Sequence, residues 1–196
     1  MSRNKRDKLG IAPDTHSTAL LLIDVINDFE FTEAESLPKF AMPMAERIAR
    51  LKIRAKTAKV PVIYVNDNFG RWRSDFKGQV EHCLSSDAKG REIVKLLRPD
   101  DDDYFVLKPK HSGFYASSLE VLLEYLGTKE LVLTGLAGNI CVLFTANDAY
   151  MRDYKIIVPP DCTASDTEAA NQAAIDEIKT VLKGDVRKSV ELQFKA

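Results

Sequence analysis

Apolar residues recur along this chain in two different spacings, which alternate from one end of the chain to the other. Compact runs rich in leucine and β-branched residues predict buried β-strands, and they lie at 18–24, 60–67, 103–109, 130–135 and 154–160, with a further candidate at 185–192. Between them, apolar residues at helical spacing predict amphipathic helices, at 42–58, 91–99, 117–127, 139–153 and 167–184. Strands that are apolar on both faces and alternate with helices are typical of a parallel sheet covered on both sides, so an α/β fold is predicted.

Residues with acid, base and nucleophile chemistry follow three of the predicted strands. The first strand ends in Asp24, the third ends in Lys108, and a turn after the fourth leads to Cys141. Ligands of parallel α/β proteins bind beyond the carboxyl ends of the strands, so the three side chains are expected to face one crevice. Each also has a structural explanation when it is taken singly. Asp24 can be a turn former and Cys141 a core filler, while Lys110 is an equally placed rival of Lys108.

Cys141 occupies a favourable position for a nucleophile. Gly135 and Gly138 relax the turn between strand and helix, which places the cysteine in the first helical turn. Backbone N–H groups and the helix dipole favour a thiolate there, and the same groups can hold the oxyanion that forms when a carbonyl is attacked. Lys108 is expected to stabilise the thiolate further, and Asp24 to take the thiol proton.

Composition narrows the class of protein. The chain has 196 residues, of which 45% are hydrophobic, and a net charge of −1, which suit one globular domain at 17–196 and no nucleic-acid or membrane partner. The basic segment 1–16 has no apolar run after its charges, so a flexible arm is predicted rather than a secretory signal. An odd number of widely spaced cysteines argues against a disulfide framework and indicates a reducing cytoplasm. Cys83 and Cys162 are interpreted as structural.

Three stretches of the sequence resemble a known family. "LLLIDVINDF", "VLKPKHSGFYAS" and "LTGLAGNICVLFTANDAYMRDYKIIVPPDCTAS" are similar, in this order, to motifs of the isochorismatase-like cysteine hydrolases, which include nicotinamidases, N-carbamoylsarcosine amidases and isochorismatases. The resemblance runs from about residue 18 to residue 166. It implies a three-layer α/β/α sandwich with a six-stranded parallel sheet, and a homodimer or homotetramer as the assembly.

The resemblance also implies which residues are catalytic. Asp24, Lys108 and Cys141 match the family's triad, and Lys108 is chosen over its rival because it opens the Lys-Pro-x-x-Ser-Gly-Phe stretch. The backbone N–H groups of Ala137 and Cys141 match the oxyanion hole. The peptide bond between Leu136 and Ala137 matches a cis bond in the turn before the nucleophile, a form that costs about 3 kcal/mol without proline.

Neither a metal nor another cofactor is expected. Nicotinamidases of this family hold a metal ion with an Asp-x-His pair and a further histidine, whereas the matching stretch here, "NDNFGRWRSDF" at 66–76, has no histidine. The histidines of the chain form no HxH or HxxxH pair, so no zinc site is predicted. The acidic run at 99–103 lacks the ligand spacing of a metal loop and is interpreted as a solvated turn. Nicotinamide is therefore disfavoured as the substrate.

Several residues around the predicted crevice are candidates for contacting a substrate. An arginine in the 66–76 stretch is suited to a carboxylate, and aromatic side chains are suited to an apolar wall. The alternative explanations are an ordered surface loop for the 66–76 stretch, a helix cap for Asn139 and core packing for the phenylalanines. The candidates are Phe29, Asn66, Asn68, Arg71, Trp72, Phe114 and Asn139.

The combined prediction is a cysteine hydrolase that cleaves a C–N bond of a small amide or ureido compound through a thioester, without a metal. One alternative is a vinyl-ether hydrolase of the isochorismatase type, in which Asp24 is the acid and Cys141 is a bystander. The other is a catalytically silent binding module. Isochorismatases that cleave a vinyl ether can dispense with the cysteine, so its presence here favours acyl chemistry. The intact triad argues against a silent module.

Overall fold

The structure is a computed structural model that describes residues 15–30, 37–70, 75–85 and 87–194. Nearly all of the predicted basic arm, as well as Arg71 and Trp72, lies outside the described residues. The principal elements are β1 (Thr18–Ile23), α1 (Leu37–Thr57), β2 (Val62–Asp67), α2 (Phe76–Cys83), α3 (Arg91–Leu96), β3 (Tyr104–Lys108), α4 (Leu119–Leu126), β4 (Glu130–Leu136), α5 (Leu143–Tyr150), β5 (Lys155–Ile157), β6 (Thr163–Ala164) and α6 (Glu168–Thr180). No helix in the described part of the chain is both long enough and apolar enough to cross a membrane.

The strands form one parallel sheet in the order β3-β2-β1-β4-β5, with β6 pairing beside β4. Successive residues of β1 face opposite sides of the sheet, because side chains alternate along a strand. Leu20 and Leu22 pack against α1 and α3, whereas Leu21 and Ile23 pack against α4, α5 and α6. The predicted three-layer α/β/α sandwich with a six-stranded parallel sheet is confirmed.

The sixth strand is not where the sequence placed it. Residue Asp185 makes only an isolated bridge to Ile157, and Ser189–Glu191 forms a 3₁₀ turn. The strand that completes the sheet is β6, which pairs with the carboxyl-terminal end of β4. The physical reason is that β5 is only three residues long, so it offers 185–192 little edge to pair with and leaves the end of β4 open to β6.

Two helices differ from the sequence prediction. Helix α1 begins at Leu37 and contains Pro43, a residue that is typical of a helix start and so hid the first turns. Their apolar residues continue the same buried stripe, which includes Ala41 and Met44. Helix α2 was not predicted as an element; it begins where the Asp75 carboxylate accepts a hydrogen bond from the N–H of Gly78, a common capping arrangement.

The acidic run at 99–103 is a lysine-bound turn at the amino end of β3. Asp100, Asp102 and Asp103 lie close enough together to hold a metal ion, but the Lys56 ammonium is bound to all three, at 2.9, 2.5 and 3.0 Å. The buried Lys52 ammonium lies 2.6 Å from Asp103. Two lysines thus supply the positive charge that this cluster needs, at the edge of the sheet opposite the carboxyl end of β3.

Candidate active site

The carboxyl ends of β1 and β3 and the turn after β4 bring the three predicted catalytic side chains together. Lys108 lies between the other two, with its Nζ 2.9 Å from Asp24 Oδ2 and 3.6 Å from Cys141 Sγ. The Asp24 carboxylate and the thiol thus share one ammonium and lie close enough to change each other's pKa. The strand order changes direction between β1 and β4, so the cluster lies at the switch point where ligands bind in this class of fold.

The backbone at the end of β1 directs Asp24 into the cluster. Asp24 has a left-handed φ of 51°, which aspartate adopts more readily than most residues. Its Oδ1 accepts a 2.6 Å hydrogen bond from the N–H of Asp67, while Oδ2 faces the lysine. On the neighbouring strand, Gly135 has a φ of +112°, and a Cβ there would lie 2.0 Å from the carbonyl oxygen of Ile23. Glycine at 135 therefore lets β4 pass close to the end of β1.

Lys108 rather than its rival Lys110 belongs to the cluster, because Lys108 is fully buried and Lys110 is exposed. It is the last residue of β3 and pairs in register with Asp67 of β2. Burial lowers the pKa of Lys108, but the charge of Asp24, followed by that of Cys141, more than offsets this effect, so the pKa is raised. The ammonium therefore stays charged although water does not reach it.

Cys141 lies in a π-helical turn, Gly138–Val142, that leads directly into α5. The N–H groups of Ile140 and Val142 both donate to the carbonyl oxygen of Ala137, at 3.0 and 3.2 Å. Single π-helical turns are rare and are found often at functional sites. The predicted position of the cysteine in the first turn after β4 agrees with the structure, although the turn is wider than an α-helical one.

Thr145 ties this turn to the loop that follows β3. Its hydroxyl donates to the carbonyl oxygen of Cys141 at 2.7 Å and accepts from the N–H of Gly113 at 2.9 Å. Thr145 is fully buried, so water cannot replace either bond. One side chain thus connects the segment that carries the nucleophile with the segment that carries the lysine.

The other side of the turn packs against α6 and the end of β6. The Ser165 hydroxyl accepts a 3.1 Å hydrogen bond from the N–H of Asn139 and donates to Asn171 Oδ1 at 3.3 Å. A Cβ on Gly138 would lie only 2.0 Å from that same Asn171 oxygen. Gly138 is therefore required for close packing and not for an unusual φ.

The peptide bond between Leu136 and Ala137 is trans, so the expected cis bond is wrong. Leu136 still belongs to β4 and pairs in register with Ala164, and Ala137 is extended, with φ −76° and ψ 140°. The chain leaves β4 in a strand-like conformation, for which the trans form is the stable one.

The Cys141 thiol is protonated, whereas the sequence predicted a stabilised thiolate. Burial, followed by the Asp24 carboxylate, raises the pKa of the Cys141 thiol well above its usual range, and the opposing effect of Lys108 is smaller. Burial also raises the pKa of Asp24, although Lys108 and the thiol act in the opposite direction. The sequence revealed the lysine and the helix terminus but not the extent of burial. In the free protein, the sulfur carries its proton beside a carboxylate that can accept it.

Two of the three asparagines proposed to contact a substrate, Asn66 and Asn68, hold loops in place. Asn66 is fully buried, and its side-chain amide bonds twice to the backbone of Ile26, accepting at 3.2 Å and donating at 2.7 Å. Asn68 is also buried, and its Oδ1 accepts from the N–H of Gly70 at 2.9 Å. Asn66 therefore anchors the segment that follows Asp24, and Asn68 shapes the turn after β2.

The two aromatic candidates that lie among the described residues, Phe29 and Phe114, belong to the core. Phe29 has no exposed surface and lies in the cluster under α1. Phe114 is buried and lies against Tyr154, with ring centroids 5.9 Å apart, and under the guanidinium of Arg152. Asn139 lies within the π-helical turn and does not cap it; its Oδ1 is buried without a hydrogen-bond partner among the described residues. Asn139 lies two residues before the nucleophile.

Sequence reasoning missed two residues of the site. Asp67 Oδ2 lies 3.4 Å from the Lys108 ammonium, and Thr145 supports the nucleophile. The strand-end rule places Asp67, the last residue of β2, at this edge of the sheet, but it gave Asp67 no role. Thr145 gave no signal beyond its position four residues after Cys141. A metal ion between Asp24 and Asp67 would have to displace the lysine, so this donor set does not fit one.

The chain is similar to known proteins both in sequence and in fold. The family model for the isochorismatase domain matches residues 18–186. The isochorismatase family protein YaaI of Bacillus subtilis (strain 168) is 44% identical over 86% of this chain and 92% of its own length. The ureidoacrylate amidohydrolase RutB of Methylorubrum extorquens is 28% identical over 87% of this chain and 79% of its own. The crystal structure of N-carbamoylsarcosine amidase from Thermoplasma acidophilum has a TM-score of 0.70 at 28% identity, over 90% of this chain and 99% of that one.

Proposed function

This chain belongs to the isochorismatase family of hydrolases, and we propose that it cleaves the C–N bond of a small amide or ureido compound through a thioester on Cys141, without a metal or other cofactor. The observation that carries the proposal is that one buried lysine contacts both Asp24 and Cys141. Two of the similar proteins are named as an amidohydrolase and an amidase, which is the reaction class proposed here.

The first step is transfer of the thiol proton from Cys141 to Asp24, as the sulfur attacks the substrate carbonyl carbon. Burial raises the pKa of Asp24 above its usual value, although Lys108 acts in the opposite direction, and a raised pKa makes the carboxylate a stronger base. The Lys108 ammonium stays within reach of both groups, so the negative charge moves from one of its partners to the other. This arrangement stabilises the thiolate only while it forms, since the resting sulfur is protonated.

The remaining steps complete the hydrolysis. The attack forms a C–S bond and a negatively charged oxygen, which the backbone N–H groups of Ala137 and Cys141 are proposed to hold. Collapse of this intermediate breaks the C–N bond, and Asp24 returns its proton to the departing nitrogen. Water then attacks the thioester, with Asp24 accepting its proton, which yields the carboxylic or carbamic acid product and the restored thiol.

Substitution of the sulfur tests this proposal. On a panel of small primary amides and ureido compounds, ammonia or amine release by the wild type should disappear in Cys141→Ala, and mass spectrometry of the quenched wild type should show an acyl group on the peptide that contains Cys141. Cys162→Ala is the matched control, since that thiol is buried away from the cluster. A Cys141→Ala variant that keeps its turnover would contradict the proposal.

The vinyl-ether alternative has one observation in its favour. Burial raises the pKa of Asp24, and a protonated Asp24 could donate its proton to an enol ether carbon. In that case Cys141→Ala would remain active on the vinyl ether and Asp24→Asn would not, so the same pair of variants separates the two chemistries. The homodimer or homotetramer and the cytoplasmic location stay predictions, the former checked by sedimentation equilibrium.

A further inference from the structure

The buried lysine has a third partner, to which neither the sequence nor the mechanism gave a role. A lysine ammonium carries three N–H donors, and here they face Asp24 Oδ2 at 2.9 Å, Asp67 Oδ2 at 3.4 Å and Cys141 Sγ at 3.6 Å. The Lys108 side chain is 0% exposed, so no water can take the third donor. Asp67 therefore satisfies a donor that would otherwise be buried and unpaired, which is costly for a charged group.

Asp67 is itself held in a defined orientation. Its backbone N–H donates to Asp24 Oδ1 at 2.6 Å, and its Oδ1 accepts from the N–H of Phe69 at 2.7 Å. These two bonds leave Oδ2 directed at Lys108. The Asp67 side chain is 24% exposed, against 7% for Asp24, so it forms the solvent-facing side of the cluster.

We propose that Asp67 is a positioning residue of the site. It accepts the third N–H of Lys108 and so holds the ammonium in place while a proton passes from Cys141 to Asp24. Its carboxylate also acts on the charges of these two groups. The proposal rests on the proposed function, in which that transfer is the first step. The ionisable groups that act on the ammonium are Asp24 from β1, Asp67 from β2 and Cys141 from the π-helical turn.

A third partner is needed because the other two partners of Lys108, Asp24 and Cys141, exchange a proton during the reaction. When the proton moves to Asp24, the negative charge passes to the sulfur, and an ammonium with only these two partners would follow the charge. The contact between Asp67 and Lys108 stays in place during this transfer, because Asp67 is not one of the two groups between which the proton moves. It keeps Lys108 between the other two groups and, being negative, it also opposes formation of the thiolate before a substrate is bound.

Removal of this charge should therefore make the thiol more acidic. We would measure the pH dependence of Cys141 alkylation by iodoacetamide, mapped on peptides, in the wild type and in Asp67→Asn. The asparagine retains an oxygen for the N–H of Phe69 but carries no charge. The midpoint should fall by about one pH unit, an estimate for a unit charge near but partly screened from the sulfur. The matched control is Asp148→Asn, which removes a charge of similar exposure, 26%, from an ion pair on α5 and should leave the midpoint unchanged.

Turnover supplies a second readout. On an amide that the wild type hydrolyses, Asp67→Asn should lower kcat about tenfold and change KM by less than about twofold, because the loss affects the chemical step and not substrate binding. If no amide is hydrolysed, the proposed function fails, but the alkylation profile still decides the role of Asp67. An unchanged midpoint in Asp67→Asn, with a normal thermal melt, would overturn the inference. Asp67→Ser removes the same charge with a smaller side chain and decides the question if the asparagine variant does not fold.

Discussion

Replacement of Asp24 by asparagine should separate the acidity of the thiol from the activity of the enzyme. In the wild type, burial and the Asp24 charge raise the pKa of the Cys141 thiol. The two groups are at most about 6.5 Å apart, because they lie 2.9 and 3.6 Å from the same ammonium. Two unit charges at that distance interact by about 2.6 kcal/mol at an effective dielectric constant of about 20, which corresponds to about two pH units.

Solvent near the half-buried thiol reduces this interaction, so we expect the midpoint of Cys141 alkylation to fall by about one to two pH units in Asp24→Asn. The sign follows from the charge, since loss of a negative neighbour stabilises the thiolate, and Lys108 is then more available to the sulfur. Turnover should nevertheless fall by a factor of about 100 to 10,000, the usual loss when a general base is removed. A more reactive thiol would thus accompany a nearly inactive enzyme.

The assay is iodoacetamide labelling between pH 5 and 11, followed by peptide mapping. Cys83 and Cys162 serve as internal controls in every sample, because they are only 3% and 0% exposed and become labelled when the protein unfolds. The reasoning would be refuted by a midpoint that stays in place or rises while both control cysteines remain protected. Retention of amide turnover by Asp24→Asn would refute the assignment of the base.

Two further predictions concern the support of the nucleophile. Thr145→Val should lower the free energy of unfolding by about 1–3 kcal/mol in urea titrations, because it removes the side-chain bond to the carbonyl of Cys141 and leaves the N–H of Gly113 without its hydroxyl acceptor. The same change should also lower kcat. Thr145→Ser keeps the hydroxyl and should retain most of the stability and the activity. Gly138→Ala should lower the free energy of unfolding by about 1–3 kcal/mol in the same titration, because the added methyl group meets the Asn171 oxygen. A second change, Asn171→Ala, should restore part of that free energy. Equal destabilisation by the valine and serine variants, or no relief in the double variant, would contradict the two explanations respectively.

The fold class and the meeting of an acid, a base and a thiol at one edge of the sheet followed from the sequence, because both depend on local patterns. Alternation of strand and helix spacing predicts a covered parallel sheet, and parallel strands place their carboxyl ends at one edge, so residues that end separate strands meet there. The position of Asp24 after an apolar run was enough to place it there, whereas Lys108 was preferred to Lys110 only through the resemblance to the family's Lys-Pro-x-x-Ser-Gly-Phe stretch. The same rule places Asp67, which ends the second strand, at this edge, but nothing in the sequence gave it a role there.

Other properties of the site depend on distances between segments that are far apart along the chain, which local patterns do not contain. Burial separates Lys108 from the exposed Lys110, although the two are equivalent as strand-end lysines. The side-chain amide of Asn66 bonds to the backbone of Ile26, forty residues earlier in the chain. It therefore holds a loop in place instead of facing a substrate. The protonated state of Cys141 arises in the same way, because burial and a carboxylate from the first strand raise the pKa of the thiol by more than the lysine lowers it. Only the assembled sheet sets the distances between these groups. It also excludes water, which makes the interactions between their charges stronger.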